Sequence, residues 1–356
     1  MAMVTRHWTW AAPALGWLVI LGTGVAAIPH LLVAAVLIAT VLAAVHHAEL
    51  IAHRVGEPFG TLLLAVAVTV IEVGLIITLM AAAGDDAATL ARDTVFAAVM
   101  IILNGLVGVC ILIGAIRHRE QTFQQTGVSA SLATLSALTV LTLVLPNFTV
   151  SEPGPVYSAP QLAFVAVISF ILYATFVSVQ TVRHRDYFLP ALKAEDLEEH
   201  AEPPSKGQAL VSAALLLACL VAVVLLAKAL SKPIEAAVNE AGAPRAVVGV
   251  IIAALVLLPE SVAAARAALA NRLQTSLNLG LGSTLATIGL TIPAAAAVSL
   301  ITAVPIALGL DAKSTVLLFL TLLVAALSLG TGRTTVLQGM VHLMIFGVYL
   351  FTTIVP

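Results

Sequence analysis

The sequence predicts an all-α polytopic membrane protein of about eleven transmembrane helices, arranged as two inverted five-helix repeats plus one extra N-terminal helix. Three observations predict it. The 356 residues are 61% hydrophobic and only 10% charged, with a mean hydropathy of +1.10, whereas soluble domains are about 45–50% apolar and about 25% charged. The apolar residues fall in long runs of Ala, Leu, Val and Ile, each near the roughly 20 residues that a 30 Å hydrocarbon core requires of a helix, with no strand-like alternation. Finally, two isolated glutamates, Glu72 and Glu260, each lie midway along such a run.

Taken in order, the apolar runs place spans at about 11–28, 31–54, 58–82, 94–116, 128–146, 161–182, 208–230, 246–269, 275–301, 313–331 and 334–355. The first begins after Arg6 and His7 and resembles a signal peptide only faintly, because no convincing cleavage site follows and a second span starts at once. Cys110 and Cys219 lie inside apolar runs and read as packing residues. Connections are short except 183–207, which carries Glu195, Asp196, Glu198, Glu199 and Glu202 before Pro203-Pro204. This composition predicts a solvated linker between halves. The expected units are therefore 1–30, the extra helix; 31–182, the first repeat; 183–207, the acidic linker; and 208–356, the second repeat. With the N-terminus inside, Lys and Arg near the span ends divide eleven to five in favour of the cytoplasmic side. The positive-inside bias thus predicts a cytoplasmic N-terminus and linker and an external C-terminus.

The halves carry a short internal match. Glu49 is followed by six residues, Gly56, Glu57 and Pro58; Glu235 is followed by six residues, Gly242, Ala243 and Pro244. Glu72 then follows Pro58 by 14 residues and Glu260 follows Pro244 by 16, placing both acids near the bilayer middle. Five spans separate the two segments, so they cross in opposite directions, the arrangement of transporters whose substrate site lies at the midplane between inverted repeats.

A carboxylate at that depth costs about 2.5–3.5 kcal/mol on insertion scales and marks an ion or proton site by default. Thr69 shares a helical face with Glu72. Pro259, beside Glu260, lacks an N–H and frees a carbonyl one turn back, an oxygen next to a carboxylate that suits a hard cation. The alternative is a plain kink with a protonated glutamate bonded to a neighbouring helix. The next span holds Asn278, Ser283, Thr284 and Thr287 among Gly280, Gly282 and Gly289. Any one of these hydroxyls can instead bond its own backbone. Its counterpart in the first half has Asn104 alone. His46, Glu49 and His53 lie on one face at the end of the second span, either a polar headgroup-level helix end or a pH-sensitive cytoplasmic entrance.

These residues resemble a known group. RVGEPFGTLLLAVAVTVIE and LLPESVAAARAALANRLQTSLNLGLGSTLATIGLTIP are similar to the two motif regions of cation/proton exchangers of the cation/calcium exchanger superfamily, in its ChaA-type branch of bacterial calcium (sodium, potassium)/proton antiporters. The likeness covers nearly the whole chain. It implies that Glu72 and Glu260 are the central ion-binding and proton-coupled acids, and that Gly282-Ser283 and Leu103-Asn104 occupy equivalent places beside them. Metal ligands are then expected among Glu72, Glu260, Ser283, Asn104 and Thr69, with Glu49, His53, Glu57, Asn278 and Thr284 as entrance or gating candidates. The chain departs from the GNxxE pattern of calcium/proton exchangers: Val68-Thr69 and Val256-Leu257 stand where Gly-Asn is usual, and Ser261 where a His often follows the second acid. Two amide ligands are missing, which leaves sodium and potassium open beside calcium, an ion that takes six to eight oxygens.

The expected function is secondary antiport of Ca2+ and/or Na+, with K+ possible, against H+. No organic cofactor or ATP motif accompanies the site. Inorganic cations, protons and the bilayer are the expected partners, and no nucleic acid is. A cation channel would need a repeated filter-like ring of groups. An intramembrane enzyme would need a nucleophile or metal motif, and HExxH is absent.

Overall fold

The computed structural model describes residues 4–23, 28–55, 69–70, 72–74, 76–78, 88–189, 204–244, 246–302 and 304–355. Glu57 and the acidic run 195–202 lie outside the described residues. Ten helices can be named: α1 Val4–Thr23, α2 His30–Val55, α3 Leu90–His118, α4 Gln125–Phe148, α5 Ala159–Arg183, α6 Lys206–Glu240, α7 Ala246–Leu269, α8 Leu273–Thr302, α9 Ala312–Leu329 and α10 Val336–Ile354. Between α2 and α3, residues 69–70, 72–74 and 76–78 are helical and carry Glu72. Among the described residues eight helices are long and apolar enough to span a membrane, nine if the bent α7 is one span. The expectation of eleven is therefore not reached by this measure, because the apolar stretch of α1 is short (Trp8–Gly22) and the Glu72 segment is described only in pieces.

Two apolar cores form, and their separation positions the site. α1, α2 and α6 share one, built from residues such as Ala12, Val19, Leu37, Ala44, Cys219 and Leu226. α3, α4, α5, α8, α9 and α10 share the other, including Val99, Leu103, Leu135, Leu277 and Leu318. α7 is the wall between them: Val248, Ile252 and Val256 face the three-helix core, while Ala253, Leu257 and Ala264 face the larger one. The Glu72 segment also lies at the boundary. Gly74 comes against Val224 of α6, and Ile76 is buried in the larger core.

The three-helix unit is tied at one end by a histidine. Pro13 lies inside α1 and has no N–H, so the carbonyl of Thr9, one turn back, loses its intrahelical partner. His47 of α2 supplies it: Nε2 lies 3.1 Å from the Thr9 oxygen and Nδ1 lies 3.4 Å from the Ser212 hydroxyl of α6. One buried imidazole thus joins all three helices.

In the larger unit, α3 and α8 have the same build. Each is an α-helix interrupted near its middle by a π segment, Ile101–Leu106 in α3 and Thr287–Thr291 in α8. Such wide turns recur at functional sites. Small residues allow close packing against α3: a Cβ added at Gly339 of α10 would come within 2.8 Å of the Leu112 backbone nitrogen, and one at Gly108 within 3.0 Å of His342 and Leu343. The loops after α3 and α9 pair as a short antiparallel ribbon, Gln121–Thr122 with Arg333–Thr334. Both cysteines are buried and free.

Candidate functional site

Glu72 and Glu260 come from segments at the boundary of the two cores, and both are buried, 4% and 8% exposed. The Glu72 carboxylate accepts a 2.6 Å hydrogen bond from the Thr287 hydroxyl. Thr287 is the first residue of the α8 π segment. The second half of the chain thus reaches across to hold the acid of the first. Glu260 is placed by the break in α7, which bends by 55° between Ala246–Leu258 and Glu260–Leu269. The bend falls at Pro259, as the missing N–H requires, and Glu260 is the first residue beyond it. Ser283 of α8 lies near the Glu260 carboxylate, and the two carboxylates are near enough to interact electrostatically. Glu260 Oε2 is buried and has no hydrogen-bond partner among the described residues. A buried oxygen left that way is costly unless a proton or cation meets it.

Ser283 and Thr287 are one helical turn apart, so both project from one face of α8, one toward each acid. Beside them a Cβ added at Gly282 would meet nothing within 4 Å among the described residues, and Ser283 is itself only partly buried. Two carboxylates and two hydroxyls in a dry site can accept protons or coordinate a cation, and the charge must be balanced by one or the other.

The other sequence candidates take several positions. Thr69 is buried three residues before Glu72. Asn104 lies in the α3 π segment, fully buried. Its amide is engaged by Thr321 of α9, with Nδ2 donating over 2.8 Å, and by His342 of α10, at 3.3 Å from Oδ1. Thr284 donates to its own helix at the Gly280 carbonyl, 2.9 Å away. Ser261 does the same at the Leu257 carbonyl, 2.7 Å away. Asn278 donates to the Phe188 carbonyl and accepts from Gln274 over 2.9 Å, fastening the chain that follows α5 against α8. Glu49 and His53 are exposed at the end of α2. Among the described residues no three His, Cys, Asp or Glu side chains cluster as a metal site.

Sequence reasoning took Thr287 only as one member of the polar patch on the span after Glu260, and it passed over His342. Thr287 had a signal, its spacing of four from Ser283. His342 had none, because its partner Asn104 is 238 residues away.

Three comparisons bear on this geometry. A family model described as "Sodium/calcium exchanger protein" matches residues 25–182 and again 211–355. A putative ionic transporter, y4hA, of Sinorhizobium fredii is 48% identical over 98% of this chain and 96% of its own. The sodium-potassium/proton antiporter ChaA of Escherichia coli is 36% identical over 89% of this chain and 86% of its own. Among solved structures, an H+/Ca2+ exchanger, CAX, superposes with a TM-score of 0.73 at 16% identity, covering 97% of this chain and 88% of that one. Native YfkE gives 0.71 at 17% identity over 98% and 100%. These two likenesses establish the shared fold.

Proposed function

The chain belongs to the sodium/calcium exchanger protein family, and from that premise we infer that it is a secondary transporter exchanging cations for protons across a bacterial inner membrane. The observation that carries this reading is the buried acid pair, one carboxylate from each half, with Thr287 of α8 bonded to Glu72 and Ser283 of the same helix near Glu260.

The mechanism follows from charge balance. Two neighbouring carboxylates removed from water cannot both stay ionised without compensation, and they titrate as a coupled pair. Two protons discharge the pair, and so does one divalent cation; a monovalent cation with one retained proton does the same. Cation and proton thus compete for the same oxygens. A carrier holding neither leaves a naked double charge in a low-dielectric site, which penalises crossing empty. That penalty couples the two fluxes. The proton gradient then drives cation export.

The two cores suggest how the site changes sides. α1, α2 and α6 form one body, and α3, α4, α5, α8, α9 and α10 the other, with the acids at their boundary. The gap between α7 and the α2–α6 pair is lined by Leu37, Val41, Val223, Leu230, Ile252 and Val256, apolar side chains that can slide past one another without exchanging hydrogen bonds of their own. The double match of the family model, once in each half, supports two repeats, 31–182 and 208–356, joined by the linker. The lysine and arginine distribution supports a cytoplasmic N-terminus and an external C-terminus.

The first-choice ligands are Glu72, Glu260, Ser283 and Thr287, with Thr69 nearest along the chain. Among the described residues no amide is bonded to this set, and Asn104 is bonded to Thr321 and His342. A shell this lean favours sodium or potassium over calcium, which takes six to eight oxygens. The relative named a sodium-potassium/proton antiporter supports the same order.

Proton release on cation binding tests the site directly. Purified protein in weakly buffered detergent solution, titrated with Na+, K+ or Ca2+, should release protons. Glu72→Gln and Glu260→Gln should each weaken that response by about 100-fold, as expected for losing a ligand. Release that persists unchanged in both variants would put the site elsewhere.

A further inference from the structure

Resting on the antiport reading, we propose that Gln121 is a positioning residue for the exchange: its amide clamps the turn between α7 and α8 and so fixes Glu260 against Ser283. The two helices form a hairpin. Only Ala270, Asn271 and Arg272 separate the end of α7 at Leu269 from the start of α8 at Leu273, and the helices pack along each other. Glu260 stands nine residues before Leu269, and Ser283 ten after Leu273. The two arms are therefore nearly equal, about 14–15 Å at 1.5 Å per residue, which brings the acid and the hydroxyl together.

The α7 arm has little else to fix its direction. The 55° break at Pro259 separates Glu260–Leu269 from the rest of α7. The residues this arm buries in the larger core are Ala264 and Ala268, whose small side chains bury little apolar area. Its restraint lies at the base of the hairpin. Asn271 is left-handed, with φ +59°. Its N–H donates to the Ala268 carbonyl over 3.1 Å, and the Arg272 N–H donates to the Ala267 carbonyl over 2.9 Å, a Schellman close to the helix.

Gln121 grips this close from outside. It is 2% exposed, in the ribbon that follows α3. Its Nε2 donates to the Ala268 carbonyl over 2.9 Å and to Asn271 Oδ1 over 3.1 Å, so both amide hydrogens are used. Gly114 of α3 makes room for the amide, since a Cβ added there would overlap Gln121 Oε1. Three residues on, the Gln124 backbone N–H donates to Gln274 Oε1 over 2.6 Å, and Gln274 Nε2 donates to Asn278 Oδ1 over 2.9 Å. One short stretch after α3 thus holds the hairpin on both sides of its turn. A rotation of about 5° at the base moves an arm tip by about 1 Å at this length, and a binding site needs its groups held within about 0.5 Å.

Cation-driven proton release from the purified protein tests this, read as the half-saturating concentration of Na+, K+ or Ca2+ and as the total release at saturation, beside melting without cation. Gln121→Met keeps the length and removes both donated bonds. It should raise the half-saturating concentration about fivefold, within the range for residues that tune a site without touching its ligand, and leave the total release unchanged. Gly114→Ala should do the same by displacing the amide. Added to Gln121→Ala, it should cost little further affinity, because the displaced group has already gone. A merely structural role would lower melting and leave half-saturation where it is. That result, or full additivity of Gly114→Ala and Gln121→Ala, overturns the proposal. If Gln121→Met does not accumulate as folded protein, Gln274→Met releases the α8 side of the same clamp. It should raise half-saturation likewise, and an unchanged value there also overturns the proposal. Wild-type protein that releases no protons with any of the three cations would instead defeat the antiport reading itself.

Discussion

Thr287 shows how much a single hydroxyl can decide. It belongs to the second half of the chain yet bonds Glu72 of the first, at 2.6 Å and fully buried. Because a hydroxyl can donate to an ionised carboxylate and accept from a protonated one, it can stay bonded through both halves of a proton-exchange cycle. Thr287→Val keeps the shape and removes the bond. It should weaken cation-driven proton exchange by about tenfold, the size seen for groups that orient a metal ligand, while Thr287→Ser retains most of it. Initial rates in vesicles across a cation series check this, and a valine variant indistinguishable from wild type would remove Thr287 from the site. The acids themselves were legible in the sequence, because a lone glutamate in the middle of an apolar span is too costly to keep without an ion or a proton to bind. Ser283 was legible through its Gly-Ser context. Asn104 was legible as a polar residue at the right depth, but its bonding was not, since Thr321 and His342 come from the far end of the chain.

At the scale of helices, proline and histidine work as a pair in the three-helix unit. Pro13 leaves the Thr9 carbonyl without its partner, and His47 meets it while accepting from Ser212. His47→Ala leaves a buried carbonyl unsatisfied and releases α1 from α2 and α6, a loss of about 1–3 kcal/mol. His47→Gln, which places an amide N–H near Nε2, should recover most of it. Thermal melting in detergent with each variant checks this; an alanine variant melting with wild type would show that α1 is held by apolar packing alone. The sequence marked the end of α2 as a histidine cluster, but drew attention to His46, Glu49 and His53 on one face. The structure puts Glu49 and His53 at the surface and gives the bridging role to His47 on the other side of the helix. Helical spacing says which residues share a face, but only tertiary packing says which face is inside. The π segments of α3 and α8 were equally invisible, because the Asn, Thr and Gly of IILNGL and TIGLT also occur in regular membrane-spanning α-helices.

For the whole molecule, the arrangement that matters is two apolar cores with both acids on the seam. Composition alone reached the membrane class and the helical architecture, since a chain this apolar must satisfy its backbone within helices. The inverted halves were suggested by a short Glu–Gly–Pro match, and the family model falling once on each half supports that organisation. The division into two bodies was not legible, because it depends on which face of α7 meets which neighbours. It nevertheless links site to transport: acids fixed wholly within one rigid body would bind ions without moving them between membrane faces. The central claim is that one pair of carboxylates is filled alternately by protons and by a cation. Reconstituted vesicles with an imposed pH gradient and no membrane potential test it most directly, by following cation and proton together. Na+ or K+, and more weakly Ca2+, should move uphill while protons move the opposite way, with both fluxes lost together in Glu72→Gln and Glu260→Gln. Cation flux with no opposing proton movement, or coupled exchange that survives both substitutions, would contradict it.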